Sequence, residues 1–358
     1  MNHEFKIGNH TISEDSPVYI IAEMSANHLQ DYDRAVRILH AAKDAGADAI
    51  KLQTYTADTI TMDSDNPCFR ITGGTIWDGT TLYKLYQEAY TPWDWQPKLM
   101  KEAEHIGLDC FSSPFDPTAV KFMRSMNMPA YKIASYEIND IPLIRMCAET
   151  GKPVIISTGI ATPDDIELAL KTCTDAGNKN VMLLKCVSSY PTPYEDINLR
   201  VIPTLAEKYD CLVGLSDHTM GNAVASGSIA LGVRMVEKHL TLKRSDGGPD
   251  GSFSMEPDEF KEMVQNIRIM EKALGSPEYT LTGIQKIEHE GSRSLFAVKD
   301  IKAGEALTSD NMRSIRPGNG LHTKYYDELL GKKAASDIKR GTPLAWDLIE
   351  RFPGYGEN

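Results

Sequence analysis

Short apolar runs rich in β-branched residues alternate along this chain with stretches of helical periodicity. The runs begin near Val18 (VYIIAEMS), Ala49 (AIKLQTY), Leu108 (LDCFSSPF) and Ala130 (AYKIASYE), and continue near Pro153 (PVIISTGI), Val181 (VMLLKCVSSYP), Leu212 (LVGLSDHT) and Met235 (MVEKHLT). Most recur after roughly 22 to 31 residues, the length of one strand-plus-helix unit. The gap of about 59 residues between the second and third runs predicts an insertion after the second strand. Between the runs, Asp31–Gly46, Pro163–Gly177 and Pro257–Gly275 read as helices. Ala35, Ile38, Leu39 and Ala42 fall at helical spacing in the first; Thr162 reads as the N-cap of the second, with Pro163 at its first position. Eight βα units in a row predict an α/β fold, a (β/α)8 TIM barrel, with a doubly wound sheet as the alternative.

After about Pro277 the pattern breaks into short, Gly-punctuated runs with no long helix. A small β-rich domain over 291–358 is expected, joined by a linker over 276–290 to a barrel domain over 1–275. Two similar phrases, DIKAGEALTSDNM and DIKRGTPLAWDLI, recur near its ends, each reading as strand, turn and short helix.

Composition narrows the function. With 41% hydrophobic and 25% charged residues among 358, the chain can build a large core. A net charge of −12 argues against nucleic acid and anionic membranes as partners, so an anionic ligand needs a local basic site. The six cysteines (Cys68, Cys110, Cys147, Cys173, Cys186, Cys211) are scattered without a CxxC pair, as in a reduced, cytoplasmic protein. No run reaches the length of a membrane span, and Met1–Glu14 lacks the layout of a signal peptide.

In a barrel the chemistry sits where the strands end. The ends here carry Glu23; Lys51 and Gln53; Ser112 and Ser113; Lys132, Ser135 and Glu137; Ser157; Lys185 and Ser188; Ser216, Asp217 and His218; Glu237 and His239. Side chains alternate along a strand, so Lys51/Gln53, Ser135/Glu137, Ser216/His218 and Glu237/His239 each share a face, while Lys132 and Ser135 require a bulge or early turn between them. Lysines and serines converging on one mouth suit a phosphate; the alternative is that they solvate strand ends. His218 and His239, on neighbouring strands, can hold a divalent metal of the Mn²⁺, Co²⁺ or Mg²⁺ kind, with Asp217 and Glu237 orienting the rings. The alternative is two hydrogen-bonded histidines. Glu23 and Glu137 can move protons. The aromatic cluster Trp77, Tyr83, Tyr86, Tyr90, Trp93 and Trp95 is expected to pack the insertion on the barrel.

IAEMSANH (21–28), IKLQTY (50–55), YKIASYEIND (131–140), STG (157–159), YPTPYEDINL (190–199), GLSDHT (214–219), EKHLT (237–241), GGPDGSFSMEP (247–257) and IRPGNG (315–320) together resemble the sialic acid synthase family, in order and along nearly the whole chain. Within it, TLYKLYQEAYTPWDW (81–95) looks like the branch that makes pseudaminic acid. The resemblance implies a TIM barrel followed by an antifreeze-like (SAF) domain in a domain-swapped homodimer. It implies condensation of phosphoenolpyruvate with an open-chain N-acetylated amino sugar, releasing inorganic phosphate. For the pseudaminate branch the sugar is 2,4-diacetamido-2,4,6-trideoxy-L-altrose.

Carried over by position, the resemblance makes His218 and His239 the metal ligands. Lys51, Ser113, Lys132, Ser135, Ser157, Ser188 and Ser216 become contacts of phosphoenolpyruvate, and Glu23 and Glu137 the acid/base carboxylates. Gln53, Asn66, Tyr190 and Asp250 become sugar contacts, and Arg316 reaches the partner subunit's site. Ser188 and Lys185 stand where N-acetylneuraminate-type members often carry Asn and His. The competing expectations are an N-acetylneuraminate or legionaminate synthase, a class I aldolase using Lys132 or Lys185, and a sugar-binding barrel without catalysis.

Overall fold

The computed structural model describes residues 1–350. Eight parallel strands close a barrel: β3 (Tyr19–Glu23), β4 (Ala49–Thr54), β5 (Asp109–Pro114), β6 (Tyr131–Ile133), β7 (Val154–Ser157), β8 (Val181–Lys185), β9 (Leu212–Asp217) and β10 (Met235–His239), with β10 hydrogen-bonded to β3. Each coincides with one of the apolar runs, and the doubly wound alternative falls away. β1 (Glu4–Ile7) and β2 (His10–Ser13) precede them as an antiparallel hairpin that the sequence reading did not anticipate.

Strand alternation sorts the residues into two cores. Ile20, Ala22, Ile50, Leu52, Val213, Leu215 and Val236 face outward and join the helices in the larger core. Tyr19, Ile21, Ala49, Phe111, Ile155, Met182, Leu184, Leu212 and Met235 face inward, and Phe5, Ile7 and Ile12 of the hairpin pack among them. The hairpin therefore stops the N-terminal end of the barrel. Full burial of each large apolar side chain there contributes about 1.5–3 kcal/mol. A second latch holds the hairpin, because His10 Nδ1 lies 2.7 Å from Asp109 Oδ2, which also accepts from the Tyr19 hydroxyl at 2.8 Å.

The helices start as their caps dictate. Asp31 accepts from Arg34 N at the start of Tyr32–Asp44, and Thr162 with Asp165 forms a capping box at the start of Pro163–Asp175. The insertion after β4 holds short helices at Ala57–Ile60 and Leu82–Ala89 before Gln96–His105 returns to the barrel. Among the described residues no helix is long and apolar enough to cross a membrane.

Gly275 ends the first compact unit and Ser276 opens the second. The stretch expected as a plain linker contains a helix, Gly283–His289, capped by Thr282. The second unit has its own core around Leu295, Ile301, Leu307, Met312 and Ile338, and an antiparallel pair β11 (Ser294–Ala297) and β12 (Met312–Ile315). The two similar phrases pair with each other, Ile301 and Ile338 exchanging backbone hydrogen bonds at 2.8 Å. The first runs on into β12 rather than into a short helix, whereas the second ends in the single turn Trp346–Leu348. Residues 351–358 of the expected small domain lie outside the described residues.

Candidate active site at the barrel mouth

The same alternation that builds the cores builds the site. In β4, Ile50 and Leu52 point to the helices, so Lys51 and Gln53 point into the barrel; in β10, Glu237 and His239 do so while Val236 and Lys238 do not. The inward residues at the C-terminal ends line one cavity of about 560 Å³. Glu23, Lys51, Gln53, Ser113, Lys132, Ser135, Glu137, Ser157, Tyr190, Ser216, His218, His239 and Asp250 all meet there.

Lys51 Nζ lies 2.6 Å from Glu23 Oε2 and 3.6 Å from Glu237 Oε1, and donates to Ser113 Oγ at 3.3 Å. Gln53 donates to Glu23 Oε1 and to Ser25 Oγ, each at 2.9 Å. On the facing strands Lys132 donates to Ser157 Oγ at 2.6 Å. β6 ends at Ile133, and Ser135–Glu137 forms a 3-10 turn. The early turn expected between Lys132 and Ser135 is present, and Ser135 and Glu137 reach the cavity from a turn rather than from one face of a strand. Gly159 permits the tight seam beside it: a Cβ there would collide with Ser188 Oγ and lie 2.6 Å from Ser135 Oγ.

Burial sets the electrostatics. Removal from water pushes the Glu23 carboxyl up to about 7 even against the pull of Lys51, and pushes Glu137 up to about 7. Burial also draws the Lys132 ammonium down from its ordinary range. Groups poised near neutrality in a cleft are the ordinary equipment of acid/base chemistry.

The His218 and His239 rings stand 5.4 Å apart, centroid to centroid, at 63°. Burial, helped by His218 and Lys51, holds His239 well below the usual imidazole range, which keeps it neutral, and its Nδ1 is buried without a partner. Burial pulls His218 down, but the Cys186 sulfur, the Val187 carbonyl and Glu237 together outweigh this and hold it above its ordinary value. His218 Nδ1 lies 2.9 Å from the Val187 carbonyl, which fixes a proton there, so that in the neutral ring the lone pair is on Nε2. Among the described residues no group of three or more His, Cys, Asp or Glu is arranged to hold a metal. The pair fits a divalent ion only if substrate oxygens and water complete its shell.

Several expected residues fall elsewhere. Asn66 is exposed and spends its side chain accepting from Cys68 N at 3.0 Å, capping the Pro67–Phe69 turn, so it does not line the cavity. Ser188 is not in the lining, although its Oγ is buried without a partner beside Gly159. Lys185 shares its parity with Val181 and Leu183 and turns away from the cavity, donating to the Cys186 carbonyl; Cys186 faces in instead. Asp217 shares its parity with Val213 and Leu215, so it does not orient the imidazoles. It binds Lys238 Nζ at 2.6 Å and the Thr219 N–H and hydroxyl at 2.9 and 2.8 Å. Glu237, expected behind the histidines, is itself a wall of the cavity and accepts from Ser216 Oγ at 3.2 Å. Arg316 is an exposed residue of the second unit, next after β12.

The reading missed Ser25, Tyr55, Tyr136 and Cys186, all of which line the cavity. Cys186 was findable from strand parity alone. Ser25, at φ 44°, sits in a backbone turn that spacing does not announce. The aromatic cluster divides in two. Trp93 stacks on Phe122 at 4.8 Å and Trp95 packs on His28 and Tyr32, as platform residues. Trp77 and Tyr86 line the cavity, Trp77 lying 5.5 Å from Tyr190, whose ring lies 4.2 Å from that of His218.

Fold and site define a barrel enzyme that brings buried lysines, carboxylates poised near neutrality and paired imidazoles onto one cavity. The chain belongs to the NeuB family, whose model matches residues 38–279, and a SAF domain model matches 292–350. It is 45% identical to the pseudaminic acid synthase of Campylobacter jejuni subsp. jejuni serotype O:2 over 95% of this chain and 98% of that protein. Identity is also 45% to the pseudaminic acid synthase of Helicobacter pylori, covering 94% of this chain and 98% of that one. Among solved structures, the spore coat polysaccharide biosynthesis protein SpsE of Bacillus subtilis aligns with a TM-score of 0.65 at 34% identity, covering 98% of this chain and 99% of that one. The N-acetylneuraminic acid synthetase of Leptospira borgpetersenii serovar Hardjo-bovis aligns at 0.72 with 31% identity, covering 80% and 95%.

Proposed function

We propose that this chain is a pseudaminic acid synthase, condensing phosphoenolpyruvate with open-chain 2,4-diacetamido-2,4,6-trideoxy-L-altrose. The observation that carries the reading is the convergence of Lys51, Lys132, Glu23, Glu137, His218 and His239 on one cavity. The pseudaminic acid synthases at 45% identity favour this acceptor over those of N-acetylneuraminate and legionaminate synthases. In this reaction the enol carbon 3 attacks the sugar's aldehyde carbon, and the aldehyde oxygen takes a proton. Water adds to carbon 2 and gives one proton to a base; the bond from carbon 2 to the phosphate oxygen then breaks, phosphate leaves with the bonding electrons and the remaining water proton, and carbon 2 is left as a ketone.

Lys51 and Lys132, with Ser113, Ser135, Ser157 and Ser216, neutralise and cradle the phosphate and carboxylate of phosphoenolpyruvate. Glu137 accepts the proton of the attacking water, and Glu23, protonated near neutrality, supplies one to the nascent hydroxyl. Gln53, Tyr190 and Asp250 orient the sugar. Holding both reactants in register removes much of the entropic barrier of their encounter. A Mn²⁺, Co²⁺ or Mg²⁺ ion held by His218 and His239 would act as a Lewis acid toward the aldehyde oxygen. The working unit is a cytoplasmic homodimer in which Arg316 of one subunit serves the site of the other; the free cysteines, five of the six buried, suit a reducing compartment.

The test is mass spectrometry of products from phosphoenolpyruvate and a panel of N-acetylated hexoses and their 6-deoxy diacetamido analogues, with phosphate release measured alongside. Product from the trideoxy-altrose sugar, lost on chelation and restored by added Mn²⁺, is expected. Product only from N-acetylmannosamine overturns the acceptor, and full turnover under chelation overturns the metal.

A further inference from the structure

The cavity has two unlike halves. The strand ends supply its charged half, and the insertion after β4 supplies the other. The helix Leu82–Ala89 presents Leu82, Leu85, Tyr86 and Ala89 to the cavity, positions i, i+3, i+4 and i+7 of one helical stripe. Such a stripe ordinarily packs on a protein core. Here Leu82 and Leu85, with Ile60 and Ile71 from the same insertion, are half-buried yet join none of the hydrophobic clusters formed by the described residues. Trp77 closes the wall, and its indole N–H is already spent on the Pro249 carbonyl at 2.8 Å. Tyr86 and Thr75 carry hydroxyls on this wall, but its leucine and isoleucine side chains have no group with which to replace the water a hydroxyl would lose on entering against them.

We propose that this wall selects the acceptor: it receives the C6 methyl and acetamido methyl groups of a 6-deoxy diacetamido sugar and penalises a hydroxyl at those places. The inference rests on the synthase reading above and adds to it the residues that discriminate between acceptors. A methyl against Leu82 and Leu85 gains the free energy of leaving water, whereas a hydroxyl there is stripped of water without a partner. Apolar pockets of this kind separate substrates differing by one such group by roughly 10- to 200-fold.

The experiment compares kcat/KM for two acceptors that differ only at carbon 6, 2,4-diacetamido-2,4,6-trideoxy-L-altrose and its 6-hydroxy counterpart, in wild type and in Leu82→Asn, Leu85→Asn, Leu82→Met and Leu85→Met. The wild type is expected to prefer the deoxy sugar by about tenfold or more. The asparagine variants should collapse that ratio to within a few-fold while the KM for phosphoenolpyruvate stays nearly constant; the methionine variants should preserve it. Circular dichroism establishes that each variant folds, and the wild-type ratio alone decides should one fail to. Product from the deoxy sugar with no preference at carbon 6, or an unchanged ratio in folded asparagine variants, overturns the wall and leaves the synthase reading standing. No product and no phosphate from either sugar overturns the synthase reading, and the wall with it.

Discussion

Glu137 is placed where chemistry and stability pull in opposite directions. Its Oε2 is buried without a partner, and the carboxyl is pushed from an ordinary 4.5 up to about 7. As pH rises from 4.5 to about 7 the unfolded chain releases a proton that the folded protein keeps, so folding stability falls across that window and stays reduced above it. At about 1.4 kcal/mol per pH unit the loss is about 3 kcal/mol. Glu137→Gln removes the titration while keeping the shape. Relative to wild type, the variant should gain up to about 3 kcal/mol between pH 4 and pH 8. A unit of 275 residues unfolds with an entropy of about 0.6 kcal/mol per kelvin, so the gain appears as a melting temperature about 5 °C higher at pH 8 than the acid comparison predicts. Turnover should drop by about 10²- to 10⁴-fold. Melting curves at both pH values, by circular dichroism, with phosphate release on the same samples, make the measurement. A stability difference that does not change with pH, or one favouring wild type more strongly at pH 8, refutes the reasoning.

The outward-facing Lys238–Asp217 pair ties together the strand ends that carry His239 and His218, and Lys238 is 2% exposed. Lys238→Met leaves a buried carboxylate without its cation and should cost about 3–5 kcal/mol in urea unfolding, with Lys238→Met/Asp217→Asn losing less than the sum of the single variants; strict additivity would show the two do not act together. An Arg316→Ala chain and a His218→Ala chain should each be inactive alone, and mixing them should restore part of the turnover through heterodimers carrying one intact site. A confirmed heterodimer without activity would remove the shared-site arrangement.

Much of this was legible in the sequence because alternation in a parallel strand is a rigid rule. The apolar runs marked all eight strands, and parity already distinguished Lys51 and Gln53 from Ile50 and Leu52. The same rule, applied throughout, would have sent Lys185 and Asp217 outward and Cys186 inward. Asn66 failed for another reason: a lone Asn before Pro67 is as good a helix cap as a sugar ligand, and local hydrogen bonding won. The hairpin of Phe5, Ile7 and Ile12 was missed because two four-residue strands are too short to show a period. The cavity-facing stripe of Leu82–Ala89 looked like any amphipathic helix, since periodicity reports that a face is apolar and not what will cover it.

The hairpin stopper also fixes the traffic. With Phe5, Ile7 and Ile12 packed among the inward side chains of Tyr19, Phe111, Ile155 and Leu212, the interior is solid below the site and offers no exit at that end. Lys51 and Lys132, 4% and 2% exposed, lie at the bottom of this cavity, out of reach of bulk solvent. The vessel is a cul-de-sac.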